Sequence, residues 1–172
     1  MTPLGQHPTS AASSITLTYG PFTTVARPDQ LTPETILWFR NGACPLMAWA
    51  LVHQAAEHGY TWYPAIVGDE HDWGDWWHMG ALTEDQMFVD VTGVHDVDAV
   101  CHWWEQHRTN RRHPDNATAV HTVTDLFYAL IWYDPRQVDV GTRAASLALA
   151  DQVLLREGLI PAPTTPSDEE RP

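Results

Sequence analysis

NGACPLMAWAL, residues 41–51, predicts a buried helix that carries a cysteine at its start. Pro45 suits the first helical position, where a missing N–H costs nothing, so Cys44 is expected to be the N-cap. Apolar residues recur at four-residue spacing from Met47 onward and give the helix a wide apolar face. Gly59 is expected to end the helix, because glycine readily adopts the left-handed backbone of a C-terminal cap.

The thiol of Cys44 has two interpretations. A helix N-terminus carries unpaired N–H groups and a partial positive charge, which stabilise a thiolate and favour a nucleophile. A free cysteine is also among the most buried residue types, so Cys44 could equally be a small core residue. With Cys101 as the only other cysteine, the chain has no disulfide framework, although a bond between the two stays open, and a reduced protein is expected.

Charge and composition restrict the possible partners. The 172 residues carry a formal net charge of −13, which disfavours nucleic acid and anionic membranes because both would repel the chain. A basic partner protein is compatible with this charge. The N-terminus lacks the charged start and apolar core of a signal peptide, and no apolar run is long enough to span a bilayer. A cytoplasmic location is therefore expected.

The order of helices and strands favours a single α+β domain over residues 15–160. Residues 1–14 and 161–172 are poor in apolar side chains and are expected to form a disordered arm and tail. Strands are expected at Ile15–Tyr19, Thr61–Val67, Trp76–Leu82 and Met87–Val91. Pro64 lies within the second of these strands, which places that strand at an edge of the sheet.

Capping residues predict where further helices begin. Thr32 and Pro33 start a helix that runs to about Arg40, and Asp96 caps another. Two more are expected in the C-terminal third: one from Thr122 or Thr124 through Ile131, and one over Val140–Glu157, ended by Gly158. The expected fold is a small antiparallel sheet packed against the helix that carries Cys44, with additional C-terminal helices.

His78 and Asp90 lie on two strands that are expected to form a hairpin. If Leu82 pairs with Gln86 across a three-residue loop, His78 lies directly opposite Asp90, with Cβ atoms roughly 5 Å apart. A five-residue loop keeps both on one face, whereas a four-residue loop turns them to opposite faces. Both have apolar neighbours, so an inward-facing pair is expected, because unpaired polar burial is costly. A core polar pair without catalytic chemistry fits the same pattern.

A helix packed across this sheet would bring its N-terminus towards the hairpin. Cys44, His78 and Asp90 would then form a thiol, a base and an orienting carboxylate. The backbone N–H of Cys44 and the side chain of Asn41 are the candidate oxyanion donors. Three tryptophans are candidate walls of a substrate cleft, with simple packing as the alternative: Trp73, Trp76 and Trp77.

A cysteine at a buried helix start, a histidine on one strand and an aspartate on the next resemble the papain-like cysteine enzymes of the transglutaminase-like group. Arylamine acetyltransferases and many bacterial and phage deamidases and peptidases are similar. The residues that carry the resemblance are Asn41–Cys44, with Ala48, Ala50 and Leu51 behind them, Trp77-His78 and Val89–Gly93. The resemblance covers roughly residues 32–105 and concerns the superfamily, not a particular substrate.

The resemblance implies a papain-like core and acyl transfer through a thioester. His78 would deprotonate Cys44, which would attack an amide or ester carbonyl, and water or an amine would release the acyl group. Hydrolysis, as in a protease, amidase or deamidase, is favoured over transfer because water needs no second binding site. The expected substrate is a protein, a peptide or another amide, and no cofactor or metal is implied.

Two alternatives remain open. Histidines and carboxylates cluster at Asp69–His78 and at His95–His102, as in zinc sites, but neither cluster has the spacing of a specific metal motif. An acidic solvated loop explains the first cluster as well. The other alternative is a non-catalytic module whose acidic, tryptophan-rich surface occupies a basic site on a partner, as inhibitors and immunity proteins do.

Overall fold

Two antiparallel sheets and a set of helices make up the computed structural model, which describes residues 13–72, 74–108, 112–123 and 138–161. The strands are β1 (Ile15–Tyr19), β2 (Phe22–Ala26), β3 (Tyr63–Asp69), β4 (Trp76–Leu82), β5 (Met87–Asp90), β6 (Gly93–Asp96) and β7 (Thr118–Thr122). The helices are α1 (Pro33–Trp38), α2 (Cys44–Glu57), α3 (Val97–His107) and α4 (Val140–Arg156). The α+β class is as predicted.

Several predicted features lie outside the described residues. These are Trp73, most of the N-terminal arm and C-terminal tail, and the helix expected from Thr124 through Ile131. Thr122 does not begin that helix, because it is the last residue of β7. Among the described helices, none is long and apolar enough to cross a membrane.

The main sheet has five strands in the order β6-β5-β4-β3-β7, while β1 and β2 form a separate hairpin. β6 and β7 extend the group of strands that the sequence predicts. The prediction of β3 at an edge is wrong, because β3 pairs with both β4 and β7. The carbonyl of Pro64 accepts from the N–H of Val123 at 2.7 Å, just past β7. The nitrogen of Pro64 faces the same side of β3. Pro64 is tolerated because the pairing of β3 with β7 ends at Ala65 and Thr122, so the missing N–H lies beyond the paired residues.

The turn between β4 and β5 sets the register of the site. The N–H of Thr83 donates to the carbonyl of Met87 at 2.9 Å, which leaves residues 84–86 as a three-residue loop. Leu82 therefore pairs with Phe88 instead of Gln86. The sequence left the loop length open, and counted from Leu82 this register is the five-residue alternative and not the three-residue one. This moves the pairing by two positions, so His78 and Asp90 share a face diagonally and do not lie directly opposite each other.

A kinked segment joins α1 to α2. Residues Phe39–Ala43 form a short π-helical stretch that departs from helical geometry at Asn41 and Gly42, where the φ of Gly42 is 155°. Cys44 has helical φ and ψ values of −56° and −35°, so it is the first residue of α2 and not its N-cap. Pro45 is accommodated in the first turn, where backbone N–H groups have no helical partner.

The five-stranded sheet lies between α2 on one face and α3 on the other. Leu51 of α2 belongs to a buried cluster with Val89 of the sheet and Leu149 of α4. Phe88, on the opposite face, packs in a second cluster with Val100 of α3. Because His78 and Asp90 have the same alternation as Phe88, they face α3 within the sheet.

Gly42→Ala is expected to destabilise the protein, because the φ of 155° strains any other residue and an added Cβ would collide with the ring of Phe22. We expect the free energy of unfolding to fall by about 2–3 kcal/mol, measured by urea denaturation. Gly59→Ala is the matched control, since its φ is also positive, at 85°, but no atom lies within 4 Å of the added Cβ. An equal loss in both variants would contradict the proposed close approach at Gly42.

Candidate active site

His78 and Asp90 form a buried pair on the α3 face of the sheet. Nε2 of His78 lies 2.7 Å from Oδ2 of Asp90, and the residues are 2% and 7% exposed. This shared face was predicted for a three- or five-residue loop, and the apolar neighbours of the two residues favoured it. The carboxylate therefore fixes the orientation of the imidazole and engages one of its two nitrogens.

The other oxygen of Asp90 is also occupied. Oδ1 accepts from the backbone N–H of Thr92 at 2.7 Å and from its hydroxyl group. Nε2 of His95 lies 3.2 Å from the same oxygen and 2.8 Å from the Thr92 hydroxyl. His95 was considered only as a metal ligand in the sequence, because its approach to Asp90 depends on β6, which was not predicted. Asp90 thus connects a buried histidine with a partly exposed one.

Cys44 is the second polar group that interacts with His78. Nδ1 of His78 is buried and forms no hydrogen bond of standard length and angle with the described residues, while Nε2 is bound to Asp90. We infer that Cys44 approaches the ring from the Nδ1 side, at less than ideal hydrogen-bond geometry. The thiol is sheltered, since Cys44 is 5% exposed and packs with Ala48 and Met79.

Opposing effects determine the protonation of the pair. Burial lowers the pKa of His78, but its interactions with Asp90 and Cys44 outweigh burial and raise that pKa to about 9. Burial raises the pKa of Asp90, whereas hydrogen bonds from His78 and His95 hold it well below its usual range. Near neutral pH the pair is therefore an imidazolium and a carboxylate. Nδ1 of His78 then carries a proton and can act as a donor towards Cys44.

A cavity of about 350 Å³ opens beside the pair. It is lined by Arg40, His78, Phe88, Asp90, Thr92, His95, Ala99, Val100, Trp103 and Trp104. The ring of Trp104 stacks on His78 with centroids 5.4 Å apart, and the guanidinium of Arg40 lies 5.1 Å from the ring centroid of Trp103. The cavity thus lies between the kinked segment before Cys44 and α3.

Two of the tryptophans predicted to bind substrate, Trp76 and Trp77, do not line this cavity. Trp76 packs against the buried cluster that contains Cys44. Trp77 is buried, donates from Nε1 to Oδ1 of Asp75 at 3.1 Å and lies under the guanidinium of Arg108. Neither lines the described cavity, whose aromatic wall comes from α3. The pair Trp103-Trp104 was visible in the sequence, but only tertiary packing directs it towards His78. Asn41 is exposed at the kink.

The buried carboxylates around the β3–β4 loop form hydrogen bonds that hold this part of the backbone together. Oδ1 of Asp69 accepts from the backbone N–H groups of His71 and Asp72 at 2.8 and 2.9 Å, and both its oxygens accept from Asn116. Asp75 accepts from the N–H of Arg112 at 2.9 Å, besides its bond from Trp77. Within the described ranges no group of histidines, cysteines and carboxylates is arranged to hold a metal ion. These carboxylates instead tie the β3–β4 loop to the segment before β7.

No protein-family model, curated protein or solved structure matches this chain. A carboxylate holds one nitrogen of a buried imidazole, and a cysteine at a helix start lies close enough to help raise the pKa of that imidazole. A general base next to a nucleophile, oriented by a third group, is the arrangement required for covalent thiol catalysis.

Asp90→Asn is expected to lower the pKa of His78, because the variant removes the carboxylate that favours the imidazolium. In the unaltered protein this pKa is raised from 6.5 to about 9. The contribution of His78 to stability is therefore fully present below pH 6.5 and is lost as the pH rises through 9. An NMR titration of the ring signals gives the pKa, and urea denaturation at several pH values gives the stability. Asp85→Asn, in the exposed β4–β5 loop, is the control and should leave the midpoint unchanged. An unchanged midpoint in Asp90→Asn would contradict this account of the pair.

Proposed function

We propose that this protein is a thiol enzyme that cleaves or transfers an acyl group at an amide or ester bond. The observation that supports the proposal best is the convergence of Cys44, His78 and Asp90 in the order nucleophile, base and orienting carboxylate. The start of α2 adds a helix N-terminus at the thiol, which stabilises negative charge on sulfur. We also propose that the sheet and α2 form a papain-like core.

The reaction proceeds in two balanced halves. In the reactive form His78 already holds the thiol proton, as an imidazolium beside the Cys44 thiolate. Sγ of Cys44 forms a bond to the carbonyl carbon, whose oxygen takes the electron pair. The oxygen pair then re-forms the carbonyl, the leaving nitrogen or oxygen departs with the proton from His78, and a thioester remains. In the second half neutral His78 takes a proton from water or an amine, whose oxygen or nitrogen bonds to the thioester carbon. The carbon–sulfur bond then breaks, the acyl product leaves, and the thiolate of Cys44 and the imidazolium of His78 are restored.

The remaining parts of the proposed site are those predicted from the sequence. The backbone N–H of Cys44 and the side chain of Asn41 are the proposed donors to the carbonyl oxygen. Trp76 packs near Cys44, so it remains a proposed contact for the acyl group, together with Trp77 and Trp73. Hydrolysis is favoured over transfer because water needs no binding site of its own.

One observation favours a second candidate, a binding protein without catalysis. Cys44 and His78 are only 5% and 2% exposed, so the same three side chains could serve as a buried polar cluster that holds the cavity in shape. The acidic surface would then contact a basic partner protein. The chemical reactivity of Cys44 separates the two candidates.

Cys44 is expected to react with iodoacetamide faster than Cys101 at pH 6–7, by a factor on the order of ten or more. Burial and nearby carboxylates raise the pKa of Cys101 to about 11, so it is a slow internal reference. The excess rate should disappear in His78→Gln, because the thiolate loses its imidazolium partner. Peptide mass spectrometry measures both rates, with the exposed His53→Gln as the control. A rate at Cys44 that is the same with and without His78 would favour the non-catalytic candidate.

Incubation with 4-nitrophenyl acetate is expected to add one acetyl group to Cys44, because its thiolate attacks the activated ester. Intact-protein mass spectrometry and peptide mapping detect the adduct, and the absence of lysine from the sequence limits background acylation. Asp90→Asn should slow acylation by about a hundred-fold or more, since the imidazole is no longer held and charged. Acetylation distributed over Cys101 and surface hydroxyl groups, with none favouring Cys44, would be inconsistent with an activated nucleophile.

A further inference from the structure

Arg40 brings an uncompensated positive charge to the cavity beside His78. Its guanidinium lies over the ring of Trp103, and within the described part of the chain it forms no ion pair with a carboxylate. By contrast, Arg27, Arg112 and Arg156 each pair with a carboxylate, at 3.0, 3.2 and 2.9 Å. The chain has a net charge of −13, so an arginine without a carboxylate partner in a concave site is unusual here. Such an arginine is suited to binding an anionic ligand.

The single carboxylate among the lining residues does not neutralise this arginine. Both oxygens of Asp90 are already occupied, Oδ2 by His78 and Oδ1 by Thr92 and His95. The positive charge on His78 balances that of Asp90, which leaves the charge of Arg40 for a ligand. The Thr92 hydroxyl and the ring of His95 also line the cavity and offer polar contacts.

The rest of the lining is apolar and aromatic. Trp103 is 39% exposed, and Trp104, Phe88 and Val100 complete the wall. The volume of about 350 Å³ lies near the lower end of the range for small-molecule sites, roughly 300–1,000 Å³. A site of this size suits a single aromatic ring with a short polar chain, not a folded partner.

We propose that this cavity binds a small aromatic carboxylate, with the carboxylate on Arg40 and the ring against Trp103 and Trp104. The proposed binding of the acid depends only on the cavity and on Arg40. The assignment of such a compound as the part of the substrate next to the scissile bond rests on the proposed thiol chemistry. The cavity touches His78 and Asp90, so a bound acid places its chain beside the base.

The test uses the full chain with Cys44→Ala, in which no thiol chemistry takes place at the site. N-benzoylglycine is the acidic probe, and N-benzoylglycinamide is its neutral counterpart of nearly the same shape. NMR titration gives the affinity, and the signals of the Trp103 indole and the His95 ring report the location. Arg40→Gln removes the charge, Arg40→Lys retains it without the planar fork, and Arg143→Gln on α4 is the matched control outside the cavity.

We expect the acid to bind at least about ten-fold more tightly than the amide, as charge-assisted hydrogen bonds typically provide. Arg40→Gln should remove this preference, Arg40→Lys should retain part of it, and Arg143→Gln should leave it intact. Equal affinities for acid and amide, an acid affinity unaffected by Arg40→Gln, or no binding at about 10 mM would overturn the proposal. The comparison of acid and amide needs no Arg40 variant, so it tests the proposal even if the Arg40 variants do not fold.

The two proposals fail in distinguishable ways. Binding of the acid to Cys44→Ala together with an unreactive Cys44 in the unaltered protein would identify a ligand-binding protein. Acylation of Cys44 without a preference for the acid would leave the enzyme proposal in place and reject the carboxylate site.

Discussion

The buried carboxylate of Asp90 is the constraint on which the site depends. Placing a charge in the interior is costly unless it is paired and hydrogen-bonded, and Asp90 meets both conditions through His78, Thr92 and His95. Removing one partner of a buried ion pair commonly costs about 3–5 kcal/mol. The same contacts fix the turn from β5 to β6, so the electrostatic requirement and the local backbone conformation support each other.

The kink between α1 and α2 places two functional groups at once. Arg40 precedes the turn at Gly42 and reaches Trp103 on α3, whereas Cys44 follows it and lies near His78. A continuous helix would carry both residues on one face, because they are four positions apart. The departure from helical geometry therefore separates a candidate ligand-binding cation, which lines the cavity together with His78, from a candidate nucleophile.

Asp69 at the end of β3 and Asp75 in the β3–β4 loop differ in role from Asp90, although all three are buried carboxylates. Asp69 and Asp75 accept backbone and side-chain N–H groups, and these hydrogen bonds outweigh burial and lower their pKa values. Asp90 accepts from two histidines as well as from Thr92, and it faces a cavity. Carboxylates that accept from backbone, amide and indole N–H groups organise a loop, whereas a carboxylate that holds an imidazole can tune the basicity of that imidazole.

Local sequence determined much of the secondary structure. The bounds of β4, the caps Thr32 and Asp96, and the end of α4 at Gly158 follow from alternation and capping chemistry, which act over a few residues. The sequence left open whether His78 and Asp90 share a face, because a four-residue loop would have turned them to opposite faces. Tertiary structure alone decided the register of β4 and β5, the interior position of β3 and the pairing of β7. It also decided the cavity formed by Arg40, His95 and Trp103. These features depend on contacts between residues far apart in the chain, and the local periodicity of a strand is the same whichever partner it finds.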